Sequence, residues 1–96
     1  MSDYRTLQEK YFPTLETYTL AITRAHGKHH PETFEIHDLF VKMYQKTEVD
    51  PQTEVSEYYQ KIHQLTENYT IPEDACPTMK KTYEMLSELE TAYLKE

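Results

Sequence analysis

An all-α fold, a short antiparallel four-helix bundle, is predicted by three observations. The chain has 96 residues with a single glycine, Gly27, and helix-favouring residues dominate its length. Apolar residues recur at steps of three and four through several segments, a spacing that keeps one helix face apolar. Prolines and acidic residues fall between those segments, where helices start and stop. The connections are short, which favours antiparallel neighbours. A chain of this length makes one helical domain, 1–96, with a modest core.

The first helix is expected over about 3–25. Ser2 suits its N-cap, because a hydroxyl there can accept from a first-turn N–H. Tyr4, Leu7, Tyr11, Leu15, Tyr18 and Ile22 make its apolar stripe. Pro13 lies inside that pattern. It removes an N–H and crowds the preceding turn, so a kink or a break is expected near Glu9. Gly27 reads as a left-handed stop after His26. The second helix, about 31–47, starts at Pro31, a favoured first helical residue. Glu32 and Glu35 sit near its positive end, and Lys42 and Lys46 near its negative end. Ile36, Leu39, Phe40, Met43 and Tyr44 face inward.

Asp50-Pro51 repeats the start signal, so the third helix is expected over about 51–67. Val55, one of Tyr58 and Tyr59, Ile62 and Leu65 form its stripe. It should make a hairpin with the second helix. A loop at 68–71 follows. The fourth helix, about 72–95, starts at Pro72 or Pro77, and Met79, Tyr83, Leu86, Leu89 and Tyr93 line one side.

Charge and composition narrow the function classes. The net charge is −7, with acids spread along the chain, whereas phosphate binding needs clustered Lys and Arg. Nucleic acid is therefore not an expected partner. No apolar run approaches a membrane span, and the charged start, Ser2-Asp3-Tyr4-Arg5, does not read as a signal peptide. One cysteine, Cys76, allows no internal disulfide, so a cytoplasmic location is expected. Asn68-Tyr69-Thr70 fits a glycosylation sequon, which would be idle there. A single glycine also excludes a glycine-rich phosphate loop, and no nucleophile–base arrangement can be defended.

Two stretches carry a family likeness. They are Arg24-Ala25-His26-Gly27-Lys28-His29-His30-Pro31-Glu32 and Leu65-Thr66-Glu67-Asn68-Tyr69-Thr70-Ile71-Pro72-Glu73-Asp74-Ala75-Cys76. Tyr11-Phe12-Pro13-Thr14-Leu15, then Ile36 and Leu39-Phe40, then Tyr83 and Leu86, extend the match over most of the chain. The pattern resembles the RIC family, the hemerythrin-like di-iron proteins of iron–sulfur cluster repair. The resemblance implies a hemerythrin-like but truncated bundle and a link to stress response.

In that family a lone His on each of helices 1 and 3, and a His with a Glu four residues later on each of helices 2 and 4, hold two irons. Residues four apart share a helix face, so each pair offers one nitrogen and one carboxylate to a metal. The matching positions here hold Tyr4 or Arg5, Val49 or Asp50 with Glu54, and Gln52, and the chain given stops soon after Leu94. No ligand histidine stands at any of them. The likeness therefore speaks for fold and descent, not for di-iron chemistry.

The remaining residues offer modest alternatives. His26, His29 and His30 crowd one helix–helix corner, with His37 two turns on; a zinc or copper site is one reading, and a solvated corner in which His30 caps the second helix is the favoured one. His63 and Glu67 repeat the His-x-x-x-Glu spacing, and read best as a surface hydrogen-bonded pair. Cys76, near a helix start, is a candidate redox or nitrosylated thiol, or a small buried filler. Glu88 and Glu90 read as helix-surface charges. Of the adjacent Tyr58 and Tyr59, one must point outward and is a candidate partner anchor. The expected role is non-enzymatic: binding of a protein partner, itself or a full-length RIC homologue, without a cofactor. The alternative is an iron-binding protein that assists repair of damaged clusters.

Overall fold

The computed structural model describes residues 3–95. Four helices follow one another: α1 (Asp3–His26), α2 (Glu32–Val49), α3 (Ser56–Leu65) and α4 (Pro77–Leu94). Among the described residues there is no strand. The molecule measures 38 × 22 × 21 Å, a length that the 24 residues of α1 alone span at the ordinary helical rise.

Side-chain contacts establish the antiparallel order. Phe12 of α1 meets Phe40 and Tyr44 of α2, Thr19 meets His37, and Thr23 donates to the Thr33 carbonyl. Tyr4 meets Tyr93 of α4, and Tyr11 donates to Glu88. Likewise α3 runs against α4, with Tyr59 on Tyr93 and His63 on Glu90. In each pair, numbers rise along one helix as they fall along its neighbour.

Most residues of the periodic stripes predicted from sequence fill the interior. Leu7, Tyr11, Tyr18, Tyr44, Leu65 and Tyr93 are only partly buried, and Phe12, outside the predicted stripe, joins the core. Phe12, Leu15, Ile22, Ile36, Phe40, Met43, Val55, Tyr59, Ile62, Met79, Tyr83, Leu86 and Leu89 are all buried. Burying one such side chain is worth roughly 1.5–3 kcal/mol relative to exposure. Five buried threonines among the described residues break the apolar pattern without leaving a hydroxyl stranded, Thr47 donating to the Tyr44 carbonyl and Thr66 to the Ile62 carbonyl. Thr33 donates to the His30 carbonyl, Thr82 to the Thr78 carbonyl, and Thr19 hydrogen bonds with His37.

Several expected boundaries move. α3 begins at Ser56 rather than Pro51, because Asp50 and Glu54 spend their carboxylates outside a helix. Asp50 Oδ1 accepts from the Gln52 N–H and Glu54 Oε1 from the Ser56 N–H, while the Val55 N–H goes to the Tyr93 hydroxyl. Of the two expected starts for α4, Pro77 is the one used, and at Pro72 the Ala75 N–H instead closes a turn on the Pro72 carbonyl. α1 runs unbroken through Pro13, whose exposed ring leaves the buried face continuous. The cap predicted at Ser2 lies outside the described residues.

Gly27 is not left-handed. Its lack of a side chain serves a close approach instead. A Cβ there would stand 2.5 Å from the Thr23 carbonyl oxygen and 2.6 Å from the Phe34 ring. The left-handed conformation occurs where no glycine stands, at Glu67, Asn68 and Tyr69, with φ of 51°, 61° and 58°. Each costs on the order of 1–2 kcal/mol for a residue with a side chain, Asn least. The turn is held by the Thr66 hydroxyl, which accepts from the Tyr69 N–H, and by the Asn68 N–H donating to the His63 carbonyl. Its return is the burial of the Tyr69 ring.

No helix among the described residues is long and apolar enough to cross a membrane.

Gly27→Ala is expected to lower unfolding free energy by about 1–3 kcal/mol in urea titrations. Adding Phe34→Ala should not restore it, because the Thr23 carbonyl cannot move aside. Glu67→Gly should instead raise stability, by about 1 kcal/mol, as the exposed left-handed strain is relieved.

Candidate functional site

Three places around the packed interior gather side chains of chemical interest. The first is the bundle end where α1 and α3 begin and α2 and α4 finish. Tyr4, Tyr59 and Tyr93 meet there, with ring centroids 5.0–6.1 Å apart. The Tyr4 and Tyr59 hydroxyls share a buried hydrogen bond of 2.8 Å. Burial pushes the Tyr59 phenol well above its ordinary pKa. The Tyr93 hydroxyl donates to Glu54 and accepts from the Val55 N–H, fastening the start of α3 to the end of α4. The hydrogen bond from Tyr93 holds the Glu54 carboxyl below its usual range. A shallow cleft of about 470 Å³ opens beside them, bordered by Gln8, Thr47 and the 51–55 segment.

The second place joins α3 to α4. His63 Nδ1 lies 2.8 Å from Glu90 Oε1, and the Tyr69 ring meets the imidazole edge-on at 5.4 Å. Glu90 is only 13% exposed, so it is a half-sequestered acceptor rather than a surface charge. The Tyr69 hydroxyl is buried close to Glu90 but makes no hydrogen bond to it, and burial raises its pKa. Glu67 does not join this group. α3 ends at Leu65, so the left-handed Glu67 no longer shares a helix face with His63.

The third place is the corner between α1 and α2. His30 sits between two carboxylates: Nδ1 lies 3.3 Å from Glu32 Oε2 and Nε2 lies 2.9 Å from Asp74 Oδ1. The His26 ring meets His30 edge-on at 6.2 Å, and its Nε2 is buried with no hydrogen-bond partner. His29 is exposed. His37 is separate from the corner, its Nδ1 paired with Thr19. The side chain of His30 does not cap α2: Pro31 holds the N-cap position with no side-chain cap, and the His30 backbone carbonyl takes the Thr33 N–H and hydroxyl. Among the described residues no three His, Cys, Asp or Glu side chains converge to hold a metal ion.

Cys76 is partly buried and has a definite task. Its Sγ accepts the Met79 N–H at 3.4 Å and so caps α4, with Pro77 at the first helical position. Tyr59 is 1% exposed and is therefore core, not an anchor. Tyr58 is the outward member of the pair. Its ring is half-buried beneath Lys46, whose Nζ lies 5.7 Å from the ring centre. Val49, 88% exposed, stands beside it on a shallow cleft also lined by Lys42, Gln45, Asp50 and Thr53.

Sequence reasoning missed Glu90, Asp74 and Glu54 as the partners of His63, His30 and Tyr93. No local spacing could have found them, because the partners lie 27, 44 and 39 residues away. Glu88 was likewise not an idle surface charge, since it accepts from Tyr11 and thereby raises that phenol's pKa.

No family model, curated protein or solved structure matches this chain.

The tyrosine contacts make opposite predictions for one chemical change. Tyr4→Phe strands the buried Tyr59 hydroxyl and should cost about 1–3 kcal/mol, most of which returns in the Tyr4→Phe, Tyr59→Phe double variant. Tyr69→Phe removes a hydroxyl that has no hydrogen bond, and should be neutral or stabilising by up to about 1 kcal/mol. Thermal and urea unfolding of the four proteins distinguish these outcomes.

Proposed function

We propose that this chain is a shortened, non-enzymatic relative of the RIC proteins. On this reading it acts as a protein-interaction or regulatory module connected with iron–sulfur cluster repair. The likeness of its His26-Gly27 and Pro72–Cys76 stretches to that family supports the descent. The observation that carries the change of role is the interior: the space between the helices is filled by Phe12, Phe40, Tyr59, Met79, Tyr83 and Leu86.

The residues at the family's ligand positions do not fit a di-iron centre. Tyr4 spends its hydroxyl on Tyr59. Asp50 and Gln52 bond to each other in an exposed turn. Glu54 accepts from Tyr93 and from the Ser56 N–H. Val49 and Leu94 are apolar and exposed. Tyr4, Gln52 and Glu54 border one cleft, but none of these groups is an imidazole, and among the described residues no three His, Cys, Asp or Glu side chains come together to hold a metal ion.

The anchor in this reading is Tyr58. A rigid ring held by a lysine, beside an exposed valine at the tip of a hairpin, can enter a partner's pocket with little loss of side-chain freedom. The partner is a second copy of the chain or a full-length homologue.

Sedimentation of the protein alone, and mixed with a full-length RIC protein, tests the reading together with metal content after anaerobic purification. Tyr58→Ala or Val49→Asp should weaken association at least about tenfold, a loss of about 1.4 kcal/mol. His63→Ala and His29→Ala should leave it intact. About two irons per chain, lost with the histidines, would overturn the reading in favour of a metal-binding repair protein.

A further inference from the structure

Between the end of α3 and the start of α4 the chain makes an eleven-residue excursion, from Thr66 to Cys76. One end of this loop is fixed by the burial of Tyr69. The other end lies over the α1–α2 corner, where Asp74 reaches His30.

The hydrogen-bond chemistry of His30 dictates its charge state. Both of its partners are carboxylates, which only accept. Nε2 can bond to Asp74, at 2.9 and 3.1 Å, only if it carries a proton, and Nδ1 can bond to Glu32, at 3.3 Å, only on the same condition. A neutral imidazole has one proton and satisfies one of them. The ring that satisfies both is the imidazolium.

We propose that His30 is a proton-operated latch. As an imidazolium it ties the α3–α4 loop, through Asp74, to the corner between α1 and α2. The tie loosens when it loses its proton, because the ring then has no charge and one N–H for two carboxylates.

Every element packed at the corner supplies a group that bears on this titration. α2 supplies Glu32 and the loop supplies Asp74, both favouring the cation. α1 supplies His26, whose ring lies edge-on to His30; a positive charge there would oppose one on His30 and would also draw on Asp74. α4 supplies Tyr83, which feels Glu32; burial and that carboxylate raise the phenol to about 12, so it stays neutral. The balance favours charge on His30. Its pKa stands above the ordinary 6.5, first because of the hydrogen bond with Asp74, against the opposing cost of desolvation. Asp74 is held below its ordinary 3.8, first by the same bond.

These two directions define the pH window. The His30 contribution is complete below 6.5 and is lost as pH rises through its raised folded value. The Asp74 contribution is complete above 3.8 and is lost as pH falls through its lowered folded value. The latch therefore holds in mildly acidic solution and loosens on the alkaline side of the ordinary histidine range. Loosening eases the segment that leads into Cys76, the cap of α4.

The test is a nitrogen-15 titration of the His30 ring, paired with amide hydrogen exchange of residues 72–76 corrected for intrinsic rates. Expected is a midpoint above 6.5, with both ring nitrogens protonated below it. Loop protection should fall by about two- to fivefold as pH passes the same midpoint. Asp74→Asn should move the midpoint down, and Asp74→Glu should restore it. His30→Gln should leave loop protection weak and independent of pH while the helical circular dichroism persists. A midpoint at or below the ordinary value, a midpoint indifferent to Asp74→Asn, or loop protection equal on both sides of the midpoint would overturn the latch.

Discussion

Tyrosine fills a protein core most favourably where its hydroxyl finds a partner. This bundle follows that constraint at Tyr4, Tyr59 and Tyr93 and departs from it at Tyr69, whose buried hydroxyl has none. The chain has nine tyrosines, three phenylalanines and no tryptophan, so most of its ring volume comes with a phenol attached. Tyr59 is deepest, and its hydroxyl is answered by Tyr4 from another helix. Tyr93 answers two groups at once, Glu54 and the Val55 N–H, and thereby decides where α3 starts. Tyr11 turns to the rim and bonds with Glu88. Each pairing fixes where two elements stand along one another, because a phenol reaches its partner at one axial position and at no other. The apolar stripes alone would tolerate slippage by a turn.

Filling the interior with rings displaces the polar chemistry to the periphery. His30, His63 and Cys76 all sit where a loop meets a helix end or where two helices meet at the surface. At these places the histidines are paired with carboxylates in twos, a number that suits hydrogen bonding and falls short of a metal's coordination shell. The same displacement leaves Tyr58 and Val49 at the hairpin tip, where the proposed partner contact lies. Structural and functional demands thus fall on different residues: the core can be repacked without touching the corner, and the corner can be titrated without unpacking the core.

The α3–α4 loop combines two opposing features. Three consecutive left-handed residues are costly, and the costliest, Tyr69, is also the one that is buried. The loop is therefore held by tertiary contacts at both ends, an apolar one at Tyr69 and an ionic one at Asp74, rather than by its own local preferences. Salt and pH act on the second contact and leave the first untouched.

Reading the sequence alone determined the helical class, the number of helices, the inward stripes and most of the buried residues, because periodicity is a local property and each stripe needs nothing but its own spacing. What it did not determine was anything that depends on a partner from another element. Asp50-Pro51 looked like a helix start until the Tyr93 hydroxyl, from the far end of the chain, took the Val55 N–H. Gly27 looked like a left-handed stop, but a single glycine serves equally where Phe34 and a carbonyl leave no room for a Cβ. His63 seemed to belong with Glu67, four residues on, and belongs with Glu90 on the facing helix. Local spacing lists the candidates for contact, and the antiparallel packing of helices distant in sequence selects among them.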